Sequence, residues 1–246
     1  MSGAVIVDQH VARALNEVAR KIGQAREVDE VLDSIIAAIL QSLPEIDQAG
    51  ISVMHRDGRI ETRASSGSLV TDLDQIQFTL HEGPCVDAMD PAIPDDVVRV
   101  DDARHEQRWP RYIGDAVAAG MRSQLGLRLY TEEKTIGGLN LYSTSTDVIS
   151  RDTELMAELF ATHAALALGR VRKEAELVHA IGTRGLVGQA IGIVMERHQI
   201  SSERSFEYLV RVSQTSNTKL RDLALQMIDE YETIGSGEDS GDNPPA

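Results

Sequence analysis

The sequence predicts an α+β chain: an N-terminal antiparallel-sheet domain with flanking helices, joined by a long coiled-coil helix to a C-terminal all-α helical bundle. Three observations predict it. Two hairpin patterns of alternating apolar residues lie between positions 50 and 143, with short helical pieces between them. A seam of mostly small residues, Ala157, Ala161, Ala164, Leu168, Val171, Ala175, Val178 and Gly182, then alternates steps of four and three. Shorter amphipathic stretches close the chain without a further strand signal.

The elements follow in order. Residues 4–25 read as a helix whose Val11, Leu15, Val18 and Ile22 form a narrow a/d seam. Asp29 is placed to cap a second helix, with Val31, Leu32, Ile35, Ile36, Ile39 and Leu40 as its apolar face and Pro44 beyond its end. Gly50–His55 and Arg59–Ala64 flank Asp57-Gly58, a strong hairpin-turn signal. Gly83-Pro84 opens a short helix over Cys85–Met89, Val97–Val100 is a strand, and Pro110 starts a helix reaching about Ala119. Gln124–Tyr130 and Ile136–Ser143 make the second hairpin around Thr131–Lys134. Helices Leu186–His198, Ser202–Ser213 and Thr218–Tyr231 follow the seam, with Ser201, Ser202 and Asn217 as N-cap candidates. The boundaries expected are a coiled-coil helix over 1–28, the sheet domain over 29–169, the helical module over 170–234 and a disordered acidic tail over 235–246.

Charge is distributed unevenly over the 246 residues, whose formal net charge is −15. Up to Gly169 there are 15 Lys/Arg against 27 Asp/Glu; from Arg170 to Ile234 the two balance at 9 and 9; the tail adds Glu238, Asp239 and Asp242. Between Arg184 and Arg221 six cations face only Glu196, Glu203 and Glu207. An acidic protein thus carries a locally basic C-terminal piece, the part fit to meet an anion.

Chemistry-bearing residues are scattered. The seven histidines (10, 55, 81, 105, 163, 179, 198) show no HExxH and no paired metal spacing, and the acidic pairs Asp95-Asp96, Asp101-Asp102 and Glu132-Glu133 fall in turns. No nucleophile–base set emerges, so no catalysis, cofactor or metal is expected. Gly182, Gly185, Gly188 and Gly192 lack the Gly-Lys-Ser/Thr of a phosphate loop; close helix–helix approach is their expected use. Cys85, the single cysteine, excludes an internal disulfide and reads as a small buried hydrophobe rather than a reactive thiol. The opening MSGAVIVDQHVARAL lacks the basic and apolar runs of a secretory signal, and no stretch nears about 18 uninterrupted apolar residues. Both point to a cytoplasmic chain without a membrane span.

Residues 185–197, GLVGQAIGIVMER, followed by Ser205-Phe206, Leu209, Ser213-Gln214, Asn217-Thr218-Lys219-Leu220 and Leu223-Ala224 at fixed spacings, resemble the ANTAR family of RNA-binding antiterminators over roughly 170–232. Arg184 stands where the family commonly has arginine. Two positions depart: Ile191 replaces a frequent lysine, and Ser205 replaces a usual alanine. Upstream, Glu82-Gly83-Pro84-Cys85, Val100–Ala103, Arg108-Trp109-Pro110, Gly120–Ser123 and Ile136–Tyr142 resemble GAF sensor domains. That second resemblance leaves a small-molecule ligand open and names none.

The ANTAR resemblance implies binding to paired RNA stem-loops with hexanucleotide loops, which disfavours an overlapping terminator hairpin. Loops suit readout because the deep major groove of A-form RNA hides base edges. The implied contacts are Arg184, Arg211, Lys219 and Arg221 to phosphates, and Gln189, Ser213, Gln214, Asn217 and Thr218 to bases or sugars. Gly192, Met195, Phe206, Leu209, Leu220, Leu223 and Ala224 read as core by periodicity. The two heptad seams predict a homodimer, since neither seam looks able to be buried within one copy. A protein-docking bundle driven by the sensor dimer stays open as the alternative. DNA binding fits poorly, because its recognition helix would carry Asp222, Asp229, Glu230 and Glu232.

Overall fold

The computed structural model describes residues 9–24, 27–55, 57–131 and 134–237. They divide into two compact units, Met1–Arg172 and Lys173–Ala246. Residues 4–8 and 25 of the expected first helix and 238–246 of the expected tail lie outside the described residues, while positions 235–237 of that tail are helical, continuing the last helix.

Strands β1 (Gln48–Met54), β2 (Ile60–Ser65), β3 (Val97–Val100), β4 (Ser123–Thr131) and β5 (Lys134–Ser143) form one antiparallel sheet in the order β2-β1-β5-β4-β3. Both expected hairpins are present. Gly58 takes φ +84° in the first turn, where its missing Cβ removes the usual clash, and Asp57 Oδ1 accepts from the Arg59 amide at 3.1 Å.

Each face of the sheet has its own character. Leu125, Leu127, Leu129, Leu139, Leu141 and Ile51 point to one side, against helices α1 (Gln9–Gln24), α2 (Val28–Ser42) and the start of α6 (Arg151–His198). Leu32, Ile35 and Ile39 of α2 are fully buried there, each worth about 1.5–3 kcal/mol. The alternate residues Ser52, Gln124, Asn140 and Tyr142 point to the other side, under α3 (Ser68–Leu80), α4 (Pro84–Met89) and α5 (Pro110–Ala118). Two strand glycines let these helices approach. A Cβ at Gly126 would lie 2.6 Å from the Pro84 carbonyl oxygen, and one at Gly50 would lie 2.4 Å from Val70 Cγ1.

Several expectations change. Helix α3 was not anticipated: its buried face carries Asp74 and Gln77 beside Val70 and Leu73, so the apolar period is broken where the helix is most enclosed. Glu27, not Asp29, precedes α2, and Asp29 sits in its first turn, where its carboxylate pairs with Arg63. The heptad seams pack inward. Val18, Ala157, Ala161, Ala164 and Leu168 are buried in the first unit's own core, so one copy hides this part of the two seams, with Leu15 and Ile22 half-buried against it. The side chains of Val171, Ala175 and Val178 lie outside the described residues. Within the first unit α6 exposes Leu159 and Leu166, 39% and 59% accessible and seven residues apart.

In the second unit α6 continues unbroken to His198, with no new helix starting at Leu186. It packs with α7 (Ser202–Ser216) and α8 (Leu220–Gly237). The core there is small: Ala190, Val194, Leu209 and Ala224 are fully buried, flanked by half-buried Leu186, Val187, Ile191, Leu220, Leu223 and Met227. Gly182, Gly185, Gly188 and Gly192 are exposed and a Cβ on any of them would meet no described atom, so close packing among the described residues does not explain them.

Candidate nucleic-acid interface

The α7–α8 corner is built by short-range hydrogen bonds. Ser201 caps α7, accepting from the Arg204 amide at 3.4 Å. Ser205, fully buried, donates its hydroxyl to the Ser201 carbonyl at 3.0 Å, so the polar atom at a position where alanine is usual in the ANTAR family is satisfied locally. At the far end Asn217 ends α7 with φ 52° and ψ 31°, a left-handed conformation that asparagine tolerates. It is the C-cap of α7 and not the N-cap of α8. Ser213 Oγ donates to the Thr218 carbonyl at 2.6 Å and the Thr218 amide donates to the Ser213 carbonyl at 3.1 Å. The Lys219 carbonyl then accepts from the Asp222 and Leu223 amides, starting α8.

This geometry sorts the nine sequence-expected residues. Ser213 and Thr218 are half-buried and hold the corner. Arg211, Gln214, Asn217, Lys219 and Arg221 are exposed on α7, the corner and the first turn of α8. Arg184 and Gln189 are exposed on α6, and no described hydrogen bond joins them to the corner. Ile191 is half-buried against the small core, so its place offers a phosphate nothing.

Periodicity misjudged three residues that read as core. Gly192 is exposed, and Met195 and Phe206 are 37% and 44% accessible. Phe206 lines an open groove of about 270 Å³ together with Glu207, Val210, Arg211 and Gln214. A helix of 15 residues over so small a core has more apolar side chains than it can hide, and no spacing rule says which one stays outside. Tyr208, also exposed, lies against His198 with ring centroids 5.5 Å apart.

In the first unit the helix-covered polar face of the sheet forms a continuous network. Asp74 accepts at Oδ1 from Tyr142 Oη (2.6 Å) and Asn140 Nδ2 (2.7 Å), and at Oδ2 from Thr62 Oγ1 (2.7 Å) and Ser52 Oγ (3.2 Å). Gln77 donates to Tyr142 Oη at 3.3 Å and accepts from the Cys85 amide at 3.0 Å, while Tyr112 donates to Gln124 Oε1 at 2.7 Å. Burial raises the Asp74 carboxyl above its ordinary range, against those four hydrogen bonds, which favour the anion. Burial and the neighbouring Asp74 also push the Cys85 thiol well up, which keeps it protonated and unreactive. Trp109 sits nearby, donating to Asp87 Oδ2 at 3.1 Å, with the Arg108 guanidinium 4.3 Å over its ring. Among the described residues no three His, Cys, Asp or Glu side chains are grouped to hold a metal, and no helix is long and apolar enough to cross a membrane.

Comparison with known proteins assigns both units. A family model for the GAF domain matches residues 25–169, and one for the ANTAR domain matches residues 175–228. No curated protein matches the chain. Among solved structures, the GAF domain of a phosphoenolpyruvate-protein phosphotransferase (ptsP) from Coxiella burnetii is 15% identical at a TM-score of 0.53, covering 68% of this chain and 97% of that one. The GAF domain of the Acinetobacter phosphoenolpyruvate-protein phosphotransferase is 14% identical at 0.52, with coverages of 68% and 97%. The phycoerythrobilin-bound GAF domain of a cyanobacterial phytochrome is 16% identical at 0.51, with 67% and 97%. At such identities these likenesses speak for the fold alone. GAF and ANTAR domains are regulatory rather than catalytic: the chain belongs to the GAF family and carries, behind that sensor domain, an ANTAR domain for RNA-binding antitermination.

Proposed function

We propose that this protein is a transcription antiterminator whose ANTAR domain holds paired stem-loops with hexanucleotide loops, under control of the GAF domain. The observation that carries the reading is the segregation within the second unit: core residues are buried while Arg211, Gln214, Asn217, Lys219 and Arg221 stand exposed around one corner. Arg211, Lys219 and Arg221 meet phosphates, with Arg184 adding a further cation on α6. Gln214 and Asn217 read bases or sugars, and Gln189 does so from α6. Ser213 and Thr218 reach RNA only through what their corner bonds leave free. Phosphate contacts provide affinity, and the acidic remainder of the chain repels unselected RNA. The functional spans we assign are an N-terminal segment over 1–28, the sensor over 29–169, the RNA module over 170–234 and an acidic C-terminal segment from 235. The protein works in the cytoplasm and turns over no substrate.

Two loops call for two copies of the module. Since the seam from Ala157 to Leu168 packs inward, the exposed Leu159 and Leu166 are the surface we assign to a homodimer in the first unit. Replacing both with lysine places like charges there, and light scattering is expected to show the mass falling by half. An electrophoretic shift of the full chain against a tandem hexaloop RNA tests the RNA reading itself. Binding of the tandem RNA over a scrambled control supports it. Equal or absent binding of both hands the corner to the protein-docking alternative.

A further inference from the structure

The groove on α7 has an uncommon composition for a solvent-facing helix. Phe206, Val210 and Gln214 form one i, i+4 row, and Glu207 and Arg211 form the next, so the groove lies between two side-chain ridges. Glu207 and Arg211 are spaced for an i, i+4 ion pair, in the favourable order with the acid first. Yet no such pair forms, and neither side chain has a hydrogen-bond or ionic partner among the described residues. An exposed ring, a free carboxylate, a free guanidinium and an amide therefore face the same open space of about 270 Å³.

Each of the four has a matching part on an unpaired nucleotide. A base offers a π-face to a ring, and aromatic stacking tolerates any base. A carboxylate accepts from base N–H groups and repels phosphate, so on a nucleic-acid surface it selects an edge and not a backbone. A guanidinium takes a phosphate in its planar fork, and a primary amide both donates and accepts at a base edge. A protein partner would be expected to meet a larger apolar patch than one ring and one valine.

We infer that this groove takes one unpaired RNA base carrying an amino group. Its ring lies on Phe206, its amino group on Glu207 and its adjoining phosphate on Arg211. The inference rests on the RNA reading above and adds Phe206 and Glu207 to it, residues whose chemistry is stacking and edge selection rather than charge neutralisation.

The test uses the full chain and a tandem hexaloop RNA in which 2-aminopurine replaces each loop nucleotide in turn, with a fully paired duplex of equal length as control. One loop position is expected to change fluorescence on binding, and Phe206→Leu to abolish that change. The same variant loses affinity for the loop RNA by about 5- to 150-fold, the range for losing one base–aromatic stack, and leaves weak duplex binding as it was. Phe206→Tyr keeps both signals. Uridine at the reporting position binds more weakly than an amino-bearing base, and Glu207→Gln narrows that gap. If wild type binds the loops but Phe206→Leu binds them equally well, the groove is not a base site while the RNA reading stands. If wild type prefers neither RNA, the RNA reading itself falls and takes this inference with it. If circular dichroism finds Phe206→Leu unfolded, the ring is structural and the inference is wrong.

Discussion

The two units of this chain manage their polar and apolar groups in opposite ways. The GAF unit buries a carboxylate, two tyrosines, a glutamine pair and an asparagine beneath its helices and satisfies them with one another. Among its described residues the ANTAR unit hides only four apolar side chains and one serine completely, and it leaves a phenylalanine, a methionine and two tyrosines on its surface. A buried polar network fixes one arrangement, because each unmet partner is costly in a low-dielectric interior. A thin core with aromatics outside leaves the surface free to meet something else. The difference suggests that specificity of folding resides in the first unit and specificity of recognition in the second.

The comparison breaks most visibly at Asp74. Asp74→Ala strands the Asn140 amide and the Tyr142, Thr62 and Ser52 hydroxyls, and is expected to cost about 3–5 kcal/mol in denaturant unfolding, since each stranded buried donor costs about 1–3 kcal/mol. Asp74→Asn costs less, because hydroxyls can turn and accept. It also tests the proton. Burial raises the Asp74 pKa in the folded state, so between the unfolded value of about 3.9 and the raised one the folded protein binds more protons than the unfolded. Its contribution to stability is therefore present at low pH and lost as pH rises through that window. The asparagine variant should show a flatter pH dependence there, and an unchanged slope would mean that the carboxyl is ionised throughout.

Leu209→Ala probes the other side of the comparison. The expected loss is about 2–4 kcal/mol, confined to the ANTAR helices, because Leu209 is the largest of the four apolar residues fully buried among their described positions. Hydrogen exchange should show α7 and α8 losing protection while the strands keep theirs. Loss spread evenly over both units would contradict the separation.

The legible parts of this fold were those where one physical signal dominated. The hairpins at Asp57-Gly58 and 131–134 follow from turn chemistry and alternation, and α2 from an unbroken apolar face. Helix α3 was illegible because Asp74 and Gln77 occupy its inward face for the sake of a network spread over four other elements. The seam on α6 was legible as a pattern, but over Ala157–Leu168 its partner is the chain's own core: a heptad spacing of alanines fits a neighbouring sheet as well as a second helix. At the corner, the residue types were visible but their division of labour was not. Ser213 and Thr218 serve the turn, Asn217 its left-handed backbone, and Phe206 turns outward where spacing put it in the core.

The smallest effect is expected at Ser205. Its hydroxyl is buried but bonded one turn back to Ser201, so Ser205→Ala removes donor and desolvation cost together, leaving the Ser201 carbonyl its backbone bond to the residue 205 amide. A change under about 1 kcal/mol is expected in thermal unfolding. A larger one would mean that the ANTAR core depends on polar packing as the GAF unit does.

The central claim, that recognition resides in the exposed corner of the second unit, is tested most directly by one titration. Full-length wild type, Lys219→Ala and Asn217→Gly are titrated with tandem hexaloop RNA and its loop-scrambled form at two salt concentrations. Glycine is chosen because it keeps the left-handed backbone at 217 while removing the side chain. Lys219→Ala should weaken binding to both RNAs alike and lower the salt slope by about 0.7–0.9, as loss of one phosphate contact does. Asn217→Gly should leave the slope alone and cost about 1–3 kcal/mol on the cognate loop only, by analogy with base contacts in DNA. Equal binding of both RNAs by all three proteins would contradict the account.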